Sequence, residues 1–210
     1  MESAPHIQLL YLQNNKITRM SGFDKLKKLR KLYLTRNKIQ VLEGLVENKM
    51  LEELHVDRQL LRPGEHFVMD PRTCQSLASC LKTLNISASN CHDLTGLHLM
   101  TGLQSLSAAN NHLALLDPVL EIVTSLSMLT SLDLTNNKHL NKVPMYRTLL
   151  IATGRSLVVL DGRKVEQSNR VLAQQISQKR SQSAVRGSRQ SPASSYCQES
   201  GGDSSQTNDQ

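Results

Sequence analysis

Leu29-Arg-Lys-Leu32-Tyr-Leu34-Thr-Arg-Asn37-Lys-Ile39-Gln-Val-Leu42-Glu-Gly-Leu45, followed by a return to Leu51, is the stretch on which the reading of this chain turns. Leu32 and Leu34 alternate as in a short strand with one buried face. Asn37 stands where the chain must leave that strand, and its amide can satisfy backbone groups that drop out of the ladder. Ile39, Leu42 and Leu45 carry apolar side chains along the return leg. Such a unit cannot bury its own leucines, so it requires neighbours.

The neighbours are present. A unit starting at Ile7 uses Leu10, Leu12, Asn15, Ile17, Met20, Phe23 and Leu26, and the step from Ile7 to Leu29 is 22 residues, as is the step on to Leu51. Further units start near Leu81, Leu103 and Leu129, the last two with Asn111 and Asn137 at the turn. Gln59 takes the asparagine place in the third unit, and Ser89-Asn90 displaces the asparagine by one residue in the fourth, which predicts a looser turn there. The periodicity predicts an α/β fold: a leucine-rich repeat solenoid with short parallel strands on the concave face and helices and turns on the convex face.

The third unit is longer than its neighbours. Within it, Pro63-Gly64 signals a turn, and Asp70-Pro71 reads as an N-cap with proline at the first helical position. Cys74, Leu77, Ala78 and Leu81 keep helical spacing behind it, which predicts a convex-side helix. Asp117-Pro118 predicts a second helix running towards Leu126. Residues 140–165, with Tyr146-Arg147 at one end and Leu160-Asp161 at the other, read as a C-terminal cap that hides the last leucines. Residues 1–165 then form the repeat domain and 166–180 a helix leaving it. The segment 181–210, rich in Ser, Gln, Arg and Gly, is expected to be disordered. The first unit begins almost at Met1 without a polar cap, which suggests that upstream repeats are missing.

The formal charge of the 210-residue chain is +7 and is unevenly placed. Between Lys16 and Lys38 the basic residues are Lys16, Arg19, Lys25, Lys27, Lys28, Arg30, Lys31, Arg36 and Lys38, with Asp24 the only acid. Such a face suits an acidic partner, or is a solvated ridge with none. Cys74, Cys80, Cys91 and Cys197 form no CxxC pair, and no histidine pair has metal-ligand spacing; free thiols in a reducing, cytoplasmic setting fit this usage. No signal-peptide pattern opens the chain, and no apolar run approaches a membrane span. A phosphate-binding glycine loop, a GxSxG elbow and an HExxH helix are all lacking, and the histidines are scattered among repeat positions, so the pattern points away from an enzyme and towards binding. No cofactor is expected.

Binding would use the strand positions beside the buried leucines. These are Tyr11 in the first unit, Arg30, Lys31, Tyr33 and Arg36 in the second, and Glu53, His55, Asp57 and Arg58 in the third. Tyr11, Tyr33 and His55 share one repeat position and are expected to stack; Arg36 and Arg58 share another. Tyr and Arg often anchor interfaces, although any one of these positions can equally be a tolerated strand residue. The turn asparagines Asn15, Asn37, Asn111 and Asn137 are structural.

The insertion and the flanking repeats also carry a resemblance. Glu53-Leu-His-Val56, Gln59, Gly64-Glu65, Asp70-Pro-Arg-Thr73, Ser76-Leu-Ala78 and Leu84-Asn-Ile-Ser87 look like the leucine-rich regulators of protein phosphatase 1, in the subgroup associated with tubulin and the centrosome. The resemblance covers roughly residues 7–165. It implies a non-catalytic modulator whose partners are the protein phosphatase 1 catalytic subunit and tubulin or microtubules, at the cytoskeleton, centrosome or microtubule-organising centre. The short basic-Val-x-Phe docking motif is absent, since Lys142-Val143-Pro144-Met145 lacks the aromatic, so phosphatase docking would use the repeat surface. The alternative is a tubulin-binding cytoskeletal adaptor that touches no phosphatase. Scaffolding of an RNA complex rests on charge alone, and neither a membrane nor direct nucleic-acid contact is expected.

Overall fold

The computed structural model describes residues 6–176. The tail 181–210 and residues 177–180 of the segment after the cap, with Cys197, lie outside the described residues. Strands β1 (Leu9–Tyr11), β2 (Lys31–Tyr33), β3 (Val41–Leu42), β4 (Glu53–His55), β5 (Val68–Met69), β6 (Thr83–Asn85), β7 (Ser105–Ser107), β8 (Ser131–Asp133), β9 (Val159–Leu160) and β10 (Arg163–Lys164) follow in chain order. Eight form one sheet in the order β1-β2-β4-β6-β7-β8-β9-β10, parallel up to β9 and closed by the antiparallel β9–β10 pair. The parallel α/β solenoid is the architecture that the 22-residue periodicity predicts.

Register follows from the repeat. Leu10, Leu32, Leu54, Leu84, Leu106, Leu132 and Leu160 stand beside one another across successive strands. From Leu32 onward these leucines are fully or almost fully buried, as are Leu34, Val56, Ile86, Ala108 and Leu134 two positions later. At about 25 cal/mol per Å² of apolar area, each buried leucine contributes about 2 kcal/mol. No repeat can collect this alone, because each leucine is covered by the two units beside it.

A strand of three residues exhausts its ladder at once, and side-chain amides take over. Asn37 Nδ2 donates to the Leu12 and Leu34 carbonyls at 2.9 and 2.8 Å, while its Oδ1 accepts from the Ile17 N–H at 3.1 Å. Gln59 repeats the pattern one unit on, donating to Leu34 O at 2.9 Å and accepting from Ile39 N at 2.8 Å. Asn111 and Asn137 do the same in their repeats. Asn141 ends the series, its Oδ1 accepting from Asn137 N at 2.9 Å and its Nδ2 donating to Leu134 O at 3.3 Å. In the cap, Asp161 Oδ1 accepts from Leu134 N at 2.8 Å, where the earlier strands use a carbonyl of the next strand; burial raises the Asp161 pKa. The fourth turn is irregular, as expected, but the ladder place in it is not taken by the asparagine. Ser89, not Asn90, occupies the buried place; its hydroxyl reaches Val56 O at 2.9 Å and its N–H donates to Asn111 Oδ1 at 3.0 Å. The backbone there carries a second left-handed residue, Asn90 at φ 55°, besides Ala88 at φ 53°, where each other ladder turn carries one.

On the convex side the insertion forms helix α1 (Pro71–Ser76), with Asp70 accepting from Thr73 N at 3.0 Å as the N-cap spacing predicts. The helix ends at Ser76, short of the Leu81 to which the apolar spacing runs. The same insertion also supplies β5, which pairs with β3 in a small parallel sheet that its sequence did not announce. Helix α2 (Leu116–Ser125) starts one residue before Asp117, and α3 (Tyr146–Thr153) packs beside it. Gly44, at φ +74°, sits so close to the Met20 carbonyl that a Cβ would collide with backbone. Asn48 is a second buried amide, donating to Phe23 O and Leu26 O at 2.9 Å each, and it fastens the convex loop of the first repeat. Residues 167–176 are helical but do not leave the domain: Ala173 is buried in the core and the Arg170 guanidinium donates to Leu157 O. Among the described residues no helix is long and apolar enough to cross a membrane.

Asn37→Ala orphans two carbonyls and an N–H in a dry site and is expected to cost about 3 kcal/mol in urea unfolding. Asn15→Ala, whose exposed side chain bonds only the Leu12 and Gln13 carbonyls, is expected to cost less than about 1 kcal/mol. Equal costs would show that the ladder is not what holds the turns.

Candidate functional site

The concave face is built from side chains that alternate with the buried leucines. Parallel register places Leu9, Lys31, Glu53, Thr83, Ser105 and Ser131 in one row, and Tyr11, Tyr33, His55, Asn85, Ser107 and Asp133 in the next. Identical repeat positions lie one strand apart, about 4.8 Å, which is also the stacking distance of flat rings. Tyr11 and Tyr33 stack with centroids 4.8 Å apart and planes at 20°, and Tyr33 and His55 stack with the same values. Tyr11, at the open end of the stack, is 60% exposed.

Glu53 holds this column in place. Its Oε1 accepts from the Tyr33 hydroxyl at 2.7 Å and from His55 Nε2 at 2.9 Å, and its Oε2 lies 2.8 Å from Lys31 Nζ. Three donors on one carboxylate hold its pKa down to about 2, Lys31 contributing most and Tyr33 next. The same contacts push the Tyr33 hydroxyl up to about 12 and raise the Lys31 ammonium. The result is a pre-set cluster of rings and charges whose rotamers are fixed before any partner arrives.

The other expected residues are placed less uniformly. Arg30 pairs with Glu52 at 3.5 Å, just before the strands, and Lys82 reaches the same carboxylate at 3.4 Å. Glu52 was not singled out by sequence; the signal available was opposite charge at one repeat position in three successive units. Asp57 is buried, and Thr35 Oγ1 donates to it at 2.8 Å, so it is tied down rather than presented. Arg36 and Arg58 do form a column, but beyond the strands, in the left-handed turn residue at φ 58° and 55°. From β6 onward the face is small and polar, with Ser87 and Ser107 hydroxyls 2.8 Å apart and Asp133 accepting from Thr135. Ala109, two residues past Ser107 as Asp57 is past His55, is buried as well.

The histidines are not all scattered. His66, His92 and His112 line up on the edge of the solenoid, with ring centroids 4.1 and 5.2 Å apart. The insertion causes this: it bridges Phe67 to Cys91 and so carries His66 beside His92. Burial, and then its two histidine neighbours, lower the His92 pKa. Among the described residues no three His, Cys, Asp or Glu side chains are arranged to hold a metal. Cys74, Cys80 and Cys91 are free thiols, all pushed up by burial and so poor nucleophiles.

The sign of the Glu53 effect on stability is fixed by its lowered pKa. The contribution is present above the ordinary glutamate range and is lost as pH falls through it towards about 2. Glu53→Gln is therefore expected to lower Tm at pH 7 by a few degrees, and the gap to the parent chain is expected to close by pH 2. A gap that stays constant across that window would remove Glu53 from the hub.

The leucine-rich repeat family descriptor, in its two-copy form, matches residues 5–47. Three solved structures share the fold. The internalin InlF of Listeria monocytogenes is 20% identical with a TM-score of 0.56, over 78% of this chain and 50% of that one. A chain of the Drosophila melanogaster SNF/U2A′ complex is 20% identical with a TM-score of 0.52, over 85% and 87%. The Listeria internalin InlC2 is 22% identical with a TM-score of 0.53, over 73% and 60%. The chain thus spans half the length of InlF and less than two thirds of InlC2. At these identities the likeness speaks for the fold, and with the repeat match over the first repeats and the amide ladder that fold is a leucine-rich repeat solenoid.

Proposed function

We propose that the chain is a non-catalytic protein-binding module of the protein phosphatase 1 regulatory subunit 42 type, which docks on the phosphatase catalytic subunit through its concave face at microtubules or the centrosome. One observation carries the choice of face: Tyr11, Tyr33 and His55 stack, and Glu53 holds the Tyr33 and His55 rings by hydrogen bonds. A partner that meets rings already stacked and a lysine already oriented forfeits little side-chain entropy on binding. Aromatic and basic anchors on such a surface are the residue types that most often dominate interfaces. The resemblance in the insertion, from Asp70-Pro71 through Ser76-Leu77, supports the choice of partner, and a concave face of parallel strands carrying stacked like positions supports a binding role.

The test is capture of the purified phosphatase catalytic subunit by the purified chain, with Tyr33→Ala beside it. Removing Tyr33 breaks the stack in the middle and leaves Glu53 short of a donor. The expected loss of affinity is at least about tenfold, in the range of an interface anchor. Undiminished capture by Tyr33→Ala would move the site off this face, and no capture by the parent chain would dismiss the phosphatase as partner.

A further inference from the structure

The residues on either side of the buried amide ladder form an edge of the solenoid distinct from the concave face. In each repeat the residue before the ladder position and the residue after it are the two that frame the turn. In the first three repeats these include Lys16, Arg36, Lys38 and Arg58, all exposed. In none of the six repeats does a carboxylate occupy either position.

Two features set these cations apart. The first is backbone conformation. Arg36 and Arg58 lie in the left-handed region, at φ 58° and 55°, where any Cβ is disfavoured and, glycine apart, Asn is best tolerated. Asn14, Asn110 and Asn136 stand at the same place in three other repeats, and Ala88 in the fourth. Two adjacent repeats thus hold long cationic side chains where asparagine would suit the fold better. The second is pairing. Arg19, Lys27, Arg30 and Lys31 each face a glutamate of the next repeat, at 3.0, 3.9, 3.5 and 2.8 Å. Lys16, Arg36 and Lys38 have no carboxylate within 4.0 Å among the described residues. Arg58 has only its neighbour Asp57 at 3.8 Å, which already accepts from Thr35.

We propose that this edge is a docking site for an extended, acidic segment of a partner protein. Guanidinium forks one repeat apart match carboxylates in geometry as well as in charge. Alternate residues of an extended chain are about 6.7 Å apart, which long arginine side chains one strand apart can span. The framing positions of the first three repeats, Asn14, Lys16, Arg36, Lys38, Arg58 and Leu60, carry no aromatic ring on which bases could stack; that favours a polypeptide over a nucleic acid. The site does not rest on the phosphatase reading, because it uses neither Tyr33 nor Glu53.

Fluorescence anisotropy with the full chain tests this, using labelled octaglutamate, octaglutamine and a uridine octamer at one low salt concentration. Octaglutamate is expected to bind saturably and octaglutamine not at all. Arg36→Asn/Arg58→Asn is expected to weaken octaglutamate by about tenfold while its Tm stays equal or rises, because asparagine fits both turns. Lys16→Gln/Lys38→Gln, which leaves both left-handed residues alone, is expected to weaken binding as well, and Tyr33→Ala is expected to leave it unchanged. Equal binding of octaglutamine, undiminished octaglutamate binding by both edge variants, or tighter binding of the uridine octamer would each overturn the proposal.

Discussion

A backbone that forms strands only three residues long must give up its ladder hydrogen bonds almost as soon as it makes them, and the buried side-chain amides that replace those bonds are what the rest of this solenoid depends on. Asn37 connects three backbone groups across two repeats, and Gln59 and Asn111 make similar bridges. An unpaired buried carbonyl or N–H costs about 1–3 kcal/mol, so a turn without its amide would offset much of what a buried leucine contributes. The requirement is chemical rather than strictly asparagine. A side chain that places a polar atom at that spot serves, which is why Gln59 and Ser89 can each stand in.

The same constraint decides where function can sit. Leucine and amide positions are committed to the core, and the convex leg carries most of the length variation. What remains free are the strand residues that alternate with the leucines and the two residues framing each ladder position. Parallel register then stacks like positions one strand apart, so chemistry on this fold comes as columns. In the first three repeats the strand column is aromatic, ordered by Glu53; in later repeats it thins to Asn85, Ser107 and Asp133. The surface is therefore polarised along its length, with its rigid, charged half at the beginning.

Much of this was legible in the residues. The 22-residue step gave the strands, the leucine positions gave the buried face, and shared repeat positions gave the Tyr11–Tyr33–His55 stack, because a period fixes register without knowledge of anything else. Features that depend on contacts between segments of unequal length were not legible. The β3–β5 pair and the meeting of His66 with His92 arise where the longer third repeat lies against a shorter neighbour, and the Asn48 amide bridges the convex legs of the first two repeats. The fourth turn was legible in part, since it does carry an extra left-handed residue at Asn90. Residue type suggested a shifted turn, but the ladder selects a place, and Ser89 occupied it. Ala173 escaped because a small residue gives little signal in a helix whose larger apolar residues, Val171 and Leu172, are exposed.

The third repeat shows how firmly these rules separate the two faces. It is eight residues longer than its predecessor, yet Leu54 and Leu84 pair in the same register as every other neighbouring leucine of the sheet. The extra chain is absorbed by α1 and β5 on the far side, because only the strand and its ladder residue must align with the next unit. Insertions can then vary the convex surface freely while the concave face stays continuous. Selectivity on that face must come from side-chain identity at a few free positions rather than from backbone shape. That puts Glu53, which sets the geometry of Lys31, Tyr33 and His55 together, in control of more of the surface than any other single residue there.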